Sequence, residues 1–129
     1  MNHFPLRMIL LFDAAFLFVL GGSFVLVPHR AIPFFHFPPM PRETEFMVAM
    51  WGCVLMTLSI GYLQAVRDPS KNLAWLQVGI ARGGLEVLVG LLYIARGIIT
   101  WQQGWLGIAV GALVALVYLI FYPRGANQA

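Results

Sequence analysis

Three ionisable residues interrupt otherwise apolar runs of this chain: Asp13 in LLFDAAFLF, and Arg82 with Glu86 in VGIARGGLEVLVG. In lipid, an unpaired Asp or Arg at a helix centre costs about 2.5–3.5 kcal/mol on insertion scales, so such residues either pair with one another or serve a function. Arg82 and Glu86 stand four residues apart, which sets them one turn from each other on one helical face. That face continues through Trp75, Gly79, Arg82, Glu86, Gly90 and Tyr93, while Leu76, Ile80, Val87, Leu88 and Leu91 fall largely elsewhere, towards lipid or apolar neighbours. The charges thus share a face with glycines and point into the protein interior.

Asp13 supplies the third charge, on a different apolar run. At 1.5 Å of rise per residue, Asp13 lies roughly 10 Å, Arg82 roughly 14 Å and Glu86 roughly 20 Å below the same membrane face. Asp13 and Arg82 are therefore expected to meet. Two carboxylates and one guanidinium sum to minus one, which a dry site tolerates poorly, and the simplest remedy is a proton on the deeper acid, Glu86. Two roles fit the cluster Asp13, Arg82 and Glu86: a polar clamp that fixes helix register, or a site where Glu86 exchanges a proton or binds a polar headgroup. A single cluster with no chain of acids, His or Tyr leading to both faces makes a poor proton path, which favours the clamp.

Other chemistry is sparse. His29 and His36 lie in one connection and His3 near the terminus, without the cysteines or spaced carboxylates that would complete a metal site. No histidine falls in an apolar run, so a bis-His haem or a His-ligated chlorin has no ligands. The single cysteine, Cys53, excludes an intramolecular disulfide and a CxxC centre, which disfavours a small four-helix quinone reductase of the dithiol type. GxSxG, HExxH, phosphate-loop and dinucleotide fingerprints do not occur. No catalytic, cofactor or metal residues are assigned, and no enzymatic activity is expected.

The elements that must position these charges are legible in the composition. Of 129 residues, 60% are hydrophobic and 10% charged, which is far from a soluble domain. Four apolar stretches approach or exceed the roughly 20 residues that cross a hydrocarbon core: about 6–27, 46–66, 73–95 and 104–122. Lipid cannot satisfy exposed backbone groups, and no stretch alternates like a barrel strand, so the spans are expected to be helices. The first is too long for a cleaved signal, contains Asp13 and lacks a small-x-small cleavage site. The reading is all-α: one domain over 1–129, an integral membrane four-helix bundle with antiparallel neighbouring spans.

Between the first two spans runs PHRAIPFFHFPPMPRETE, whose prolines forbid a continuous helix and whose phenylalanines are too apolar for a solvated loop. It is read as an interfacial flap over 28–44. The other connections are short, with Asn72 a candidate N-cap for the third span. Four spans put both termini on one side, with Arg7, Arg67, Lys71 and Arg124 there and Arg30, Arg42 and Arg96 opposite, a slim bias towards cytoplasmic termini. Trp75, Tyr62, Tyr118 and Tyr122 form one expected aromatic belt, and Trp51, Tyr93, Trp101 and Trp105 the other. The last five residues, GANQA, read as a frayed tail.

Helices in lipid pack through small residues. Ala49, Cys53, Thr57, Gly61 and Ala65 recur every four residues in the second span, Gly79, Gly83 and Gly90 mark the third, and Gly107, Gly111 and Ala115 mark the fourth. These are the expected packing faces.

Three features, LRMILLFDAAFLFVLGG running to Pro28, the GYLQAVRDPSK junction, and a basic residue within the third span at Arg82, resemble the small bacterial four-span membrane proteins of the DoxX-like and BphX-like type. The resemblance spans nearly the whole chain as a general pattern, and Glu86 lies outside it. It implies a multi-pass protein of the bacterial plasma membrane and transfers no active site. Two functions are carried forward. The first is a non-enzymatic accessory or assembly subunit of a larger membrane complex, redox or energy-transducing complexes included, packing against other subunits or a second copy. The second is a binder or carrier of a small amphipathic ligand, a quinone or a lipid, near Arg82 and Glu86. A pocket open to the bilayer at Glu86 favours the second, and tight glycine packing there favours the first. Nucleic acid is not an expected partner, since the basic residues sit at helix ends.

Overall fold

A computed structural model describes residues 3–124; the GANQA tail lies outside the described residues. The described chain is all-α and forms α1 (Phe4–Leu26), α2 (Pro28–Phe34), α3 (Arg42–Arg67), α4 (Leu73–Ala95) and α5 (Trp101–Ile120). All but α2 are long and apolar enough to cross a membrane.

Local sequence explains most boundaries. Pro5 occupies the first turn of α1, where its missing N–H breaks no helical bond. α1 ends as the Val27 N–H donates to the Ser23 carbonyl at 2.9 Å. Pro28 then opens α2, a single short helix within the segment whose prolines rule out a long one. Pro33 sits in its last turn, where the loss of one donor matters little. His36 adopts φ 61°, a left-handed conformation that a non-glycine residue holds at some cost, and turns the chain into the irregular stretch before α3. α3 begins at Arg42, earlier than hydropathy alone indicates, because Glu43 and Glu45 in the first turn complement the positive end of the helix dipole.

Asn72 stands at the N-cap position of α4 without capping it: its side-chain amide donates to the Asp68 carbonyl at 2.8 Å and so closes the connection instead. In the same turn the Ser70 hydroxyl donates to Asp68 Oδ1 at 2.6 Å, and that bond holds the Asp68 carboxyl below the usual carboxylate range. Gly97, at φ 71°, ends α4 in the conformation glycine tolerates best. α5 starts at Trp101, three residues before the expected span, because Thr100 and Gln103 form a reciprocal capping box.

α1 packs along α3 and α4 along α5, and these are the extensive helix contacts. Leu6, Leu10, Asp13, Ala14, Leu17 and Gly21 form the buried stripe of α1, so Asp13 faces the core. The close approach to α3 is made at Gly21 and Gly52: a methyl placed on Gly21 would stand 2.6 Å from the Gly52 carbonyl oxygen. On α3 the inward face comprises Gly52, Leu55, Ser59 and Tyr62, together with Gly61 and Ala65. The expected ridge is therefore corrected: Ala49 is half-buried, and Cys53 and Thr57 are exposed. A four-residue repeat advances about 40° per step beyond a full turn, so five such positions cannot share one contact line. Between α4 and α5, Gly83 meets Gly111 so closely that a methyl on Gly83 would collide with the Gly111 carbonyl oxygen. Gly90 contacts Ile108, whereas a methyl on Gly107 would meet nothing within 4 Å. Outward faces carry Leu88, Leu91, Leu116 and Leu119, an apolar exterior of the kind that suits hydrocarbon.

Candidate functional site

The two helix pairs meet around the charges. Arg82 Nη2 on α4 donates to both oxygens of Asp13 on α1, at 2.8 and 2.9 Å. The Tyr118 hydroxyl on α5 donates to Asp13 Oδ2 at 2.8 Å. On α3, the Tyr62 ring lies beneath the guanidinium, with its centroid 5.2 Å from Arg82 Cζ, a cation–π placement. Tyr62 in turn contacts Trp75 edge-on at 5.9 Å and Tyr118 at 6.2 Å. One cluster therefore draws a side chain from each of the four long helices. Asp13, Tyr62 and Tyr118 are fully buried, and the side chain of Arg82 is 11% exposed.

The glycines of α4 acquire specific jobs here. Any side chain on Gly79 would occupy the volume of the Tyr118 ring, and any side chain on Gly61 of α3 would occupy that of Trp75. These positions let aromatic rings lie against neighbouring helices and deliver the Tyr118 hydroxyl to Asp13. Tyr62 and Tyr118 were expected in an aromatic belt. They instead turn inward, because a buried carboxylate and guanidinium offer a hydroxyl and a π face better partners than the interface does. Depth arithmetic carries the signal that finds them: Tyr62 lies five residues inside Arg67 and Tyr118 four inside Tyr122, roughly 6–8 Å along each helix and within one helical turn of the depth of Asp13.

Glu86 is set apart from the clamp. Its Oε1 lies 3.9 Å from Arg82 Nε, too far for a hydrogen bond, and that buried Nε has no hydrogen-bond partner among the described residues. The Tyr62 hydroxyl is likewise buried without one. Glu86 Oε2 lies over Gly111, where a methyl would stand 3.1 Å away, so Gly111 leaves room for the carboxylate. The Glu86 side chain is 35% exposed.

What it faces is a cavity of about 800 Å³. Leu20 and Phe24 of α1, Ile32 of α2, Phe35, Phe37 and Met40 of the connection, Met47 and Trp51 of α3, Glu86 and Gly90 of α4, and Gln103 and Gly107 of α5 contribute to its wall. The proline-rich segment thus lies across the end of the helix pairs opposite the turn at Asp68. It is held there by Gln103 Nε2, which donates to the His36 carbonyl at 3.0 Å, and by Phe35, whose ring meets Phe24 edge-on. The structure therefore brings Asp13, Arg82 and Glu86 to one locality, with Glu86 at the border between a closed polar cluster and an apolar cavity. Cys53, Thr57 and Gly107 do not contribute to the packing between these helices.

Fold and site together define an α-helical chain with four helices able to cross a membrane and a buried ion pair among them. No protein family, curated protein or solved structure matches the chain.

Proposed function

We propose that this protein is a multi-pass membrane protein, built as an antiparallel four-helix bundle, that holds a small amphipathic ligand in the cavity beside Glu86. The carrying observation is the cavity itself: its volume falls within the range typical of small-molecule sites, its wall is apolar, and Glu86 contributes a carboxyl to it. Beside it, the Asp13, Arg82, Tyr118 and Tyr62 cluster works as the clamp that holds the helix pairs in register, so the carboxyl is presented from a fixed frame. The proline-rich flap, rich in Phe, lies in the headgroup region and covers one end of the site. By its resemblance to the DoxX-like and BphX-like proteins, the chain belongs in a bacterial plasma membrane, with both termini on one side and a slight preference for the cytoplasm.

Gly107→Phe provides the test, because position 107 lines the cavity and has open space around it. The protein is purified in mild detergent from its native membrane, and the co-purifying small molecules are extracted and identified by mass spectrometry. A stoichiometric amphiphile present with the wild type and absent with Gly107→Phe supports the reading. An identical extract from both defeats it.

A second reading, an accessory or assembly subunit of a larger complex, is supported by the outward row of Ala49, Cys53 and Thr57 on α3, small residues that a helix of another chain could approach closely. The same purification, analysed for proteins, tests it: a stoichiometric partner released by Cys53→Phe supports it, and a chain that purifies alone defeats it.

A further inference from the structure

We propose that the ligand of this cavity is a lipophilic organic cation, such as a hydrophobic amine, ammonium or phosphonium, whose positive charge lies against the Glu86 carboxylate. The proposal rests on the reading of the cavity as a ligand site and adds the charge of the occupant.

The argument begins with the local balance of charge. Asp13 uses both oxygens on Arg82 and accepts from Tyr118 as well, so the Asp13 and Arg82 charges compensate each other inside a closed set of hydrogen bonds. When ionised, Glu86 is left with a single 3.9 Å approach to a guanidinium already neutralised by Asp13. The cluster then carries one negative charge in excess, and of its members Glu86 is the one that lines the cavity. A proton on Glu86 or a monovalent cation beside it brings the sum to zero, so the two compete for the carboxylate, whereas an anion doubles the excess and a neutral ligand leaves it untouched.

The other polar groups of the wall, Thr44 and Gln103, are neutral. The Gln103 amide is partly committed: one Nε2 N–H donates to the His36 carbonyl, and its Oε1 accepts from the Thr100 N–H at 2.9 Å. Arg82 Nε, the N–H nearest Glu86 that could serve a carbonyl ligand, is buried away from the cavity. A quinone carbonyl could take the Thr44 hydroxyl or the second Gln103 N–H as donor, but a neutral ligand would leave the excess charge at Glu86 unanswered. Phe24, Phe35, Phe37 and Trp51 line the same space, and aromatic rings attract cations through the negative potential of their faces. An apolar room lined by one carboxylate residue and several aromatic rings matches a charge carried on a hydrophobic body.

The test uses the full chain in nanodiscs of phosphatidylcholine, with empty nanodiscs subtracted, and two ions of matched size and opposite charge, tetraphenylphosphonium and tetraphenylborate, beside a neutral short-chain naphthoquinone. Wild type is expected to bind the phosphonium saturably and to show no saturable borate binding. Glu86→Gln is expected to weaken phosphonium binding by about tenfold or more. Gly107→Phe is expected to abolish it, and Leu88→Ala, on the outer face, to leave it unchanged. Lowering the pH is expected to weaken binding to the wild type, as protons compete for Glu86, and to leave the residual binding of Glu86→Gln unaltered. Saturable naphthoquinone binding that Gly107→Phe blocks, with phosphonium binding absent or indifferent to Glu86→Gln, overturns the cation and leaves the cavity reading standing. If no probe shows binding that Gly107→Phe blocks, both fall.

Discussion

Replacing Asp13 by alanine removes, in one step, the carboxylate that accepts two contacts from Arg82 Nη2 and one from the Tyr118 hydroxyl. The guanidinium is then left in a site where its side chain is 11% exposed, and it retains Glu86 at 3.9 Å as its remaining acidic neighbour. Breaking a buried ion pair from one side costs about 3–5 kcal/mol, chiefly through the stranded charge, so a loss of about 4 kcal/mol is expected. Arg82→Leu strands Asp13 in the same way, with a comparable loss expected. The informative variant is the double one. If the two residues act as a pair, Asp13→Ala with Arg82→Leu loses no more than about 5 kcal/mol instead of the sum of about 8, a coupling of about 3 kcal/mol. Unfolding in mixed micelles, titrated with sodium dodecyl sulfate and followed by circular dichroism, yields the four free energies of the cycle. A double variant whose loss equals the sum of the singles to within about 0.5 kcal/mol would refute the clamp.

The remaining predictions concern the neighbouring features. Glu86→Gln should cost less than about 1 kcal/mol in the same titration, because Glu86 makes no hydrogen bond to Arg82, whereas Arg82→Leu should cost several times more; equal losses would place Glu86 inside the clamp. Gly83→Leu, forced against the Gly111 carbonyl, and Gly61→Leu, forced against Trp75, should each destabilise by about 1–3 kcal/mol or more, while Leu88→Ala on the exposed face should stay within about 0.5 kcal/mol. Equal thermal stability of the three in detergent would mean that these helix contacts are absent. The Asp68 carboxyl is held low by the Ser70 hydroxyl, so its contribution to stability is complete above the ordinary carboxylate value of about 4 and is lost as pH falls through its own lower value. Asp68→Asn should accordingly flatten the acid side of a melting temperature against pH curve, and an unchanged acid limb would remove Asp68 from it.

What the amino-acid order decides alone follows from local physics. Helices over residues 4–26, 42–67, 73–95 and 101–120 come from apolar length, from proline at the first turn of α1, from acids in the first turn of α3 and from the Thr100 and Gln103 box. The one-turn spacing of Arg82 and Glu86, and the matched depths of Asp13 and Arg82, are likewise arithmetic on a regular helix. That arithmetic ends where helices choose neighbours and sides. A four-residue repeat of small residues marked Cys53 and Thr57, yet contact runs through Gly21 and Gly52 and through Gly83 and Gly111, where two glycines face each other across an interface. Such a match depends on the surfaces of both helices at once, and neither sequence segment contains it. Tyr62 and Tyr118 look in sequence like interfacial aromatics; only the meeting of four helices turns their rings onto Arg82 and Asp13. The cavity is the clearest case. Phe24, Phe35, Trp51, Glu86 and Gly107 come from separate elements, and the space between them exists because the helix pairs join at the ion pair and are bridged at the other end by the flap, a geometry set by tertiary packing.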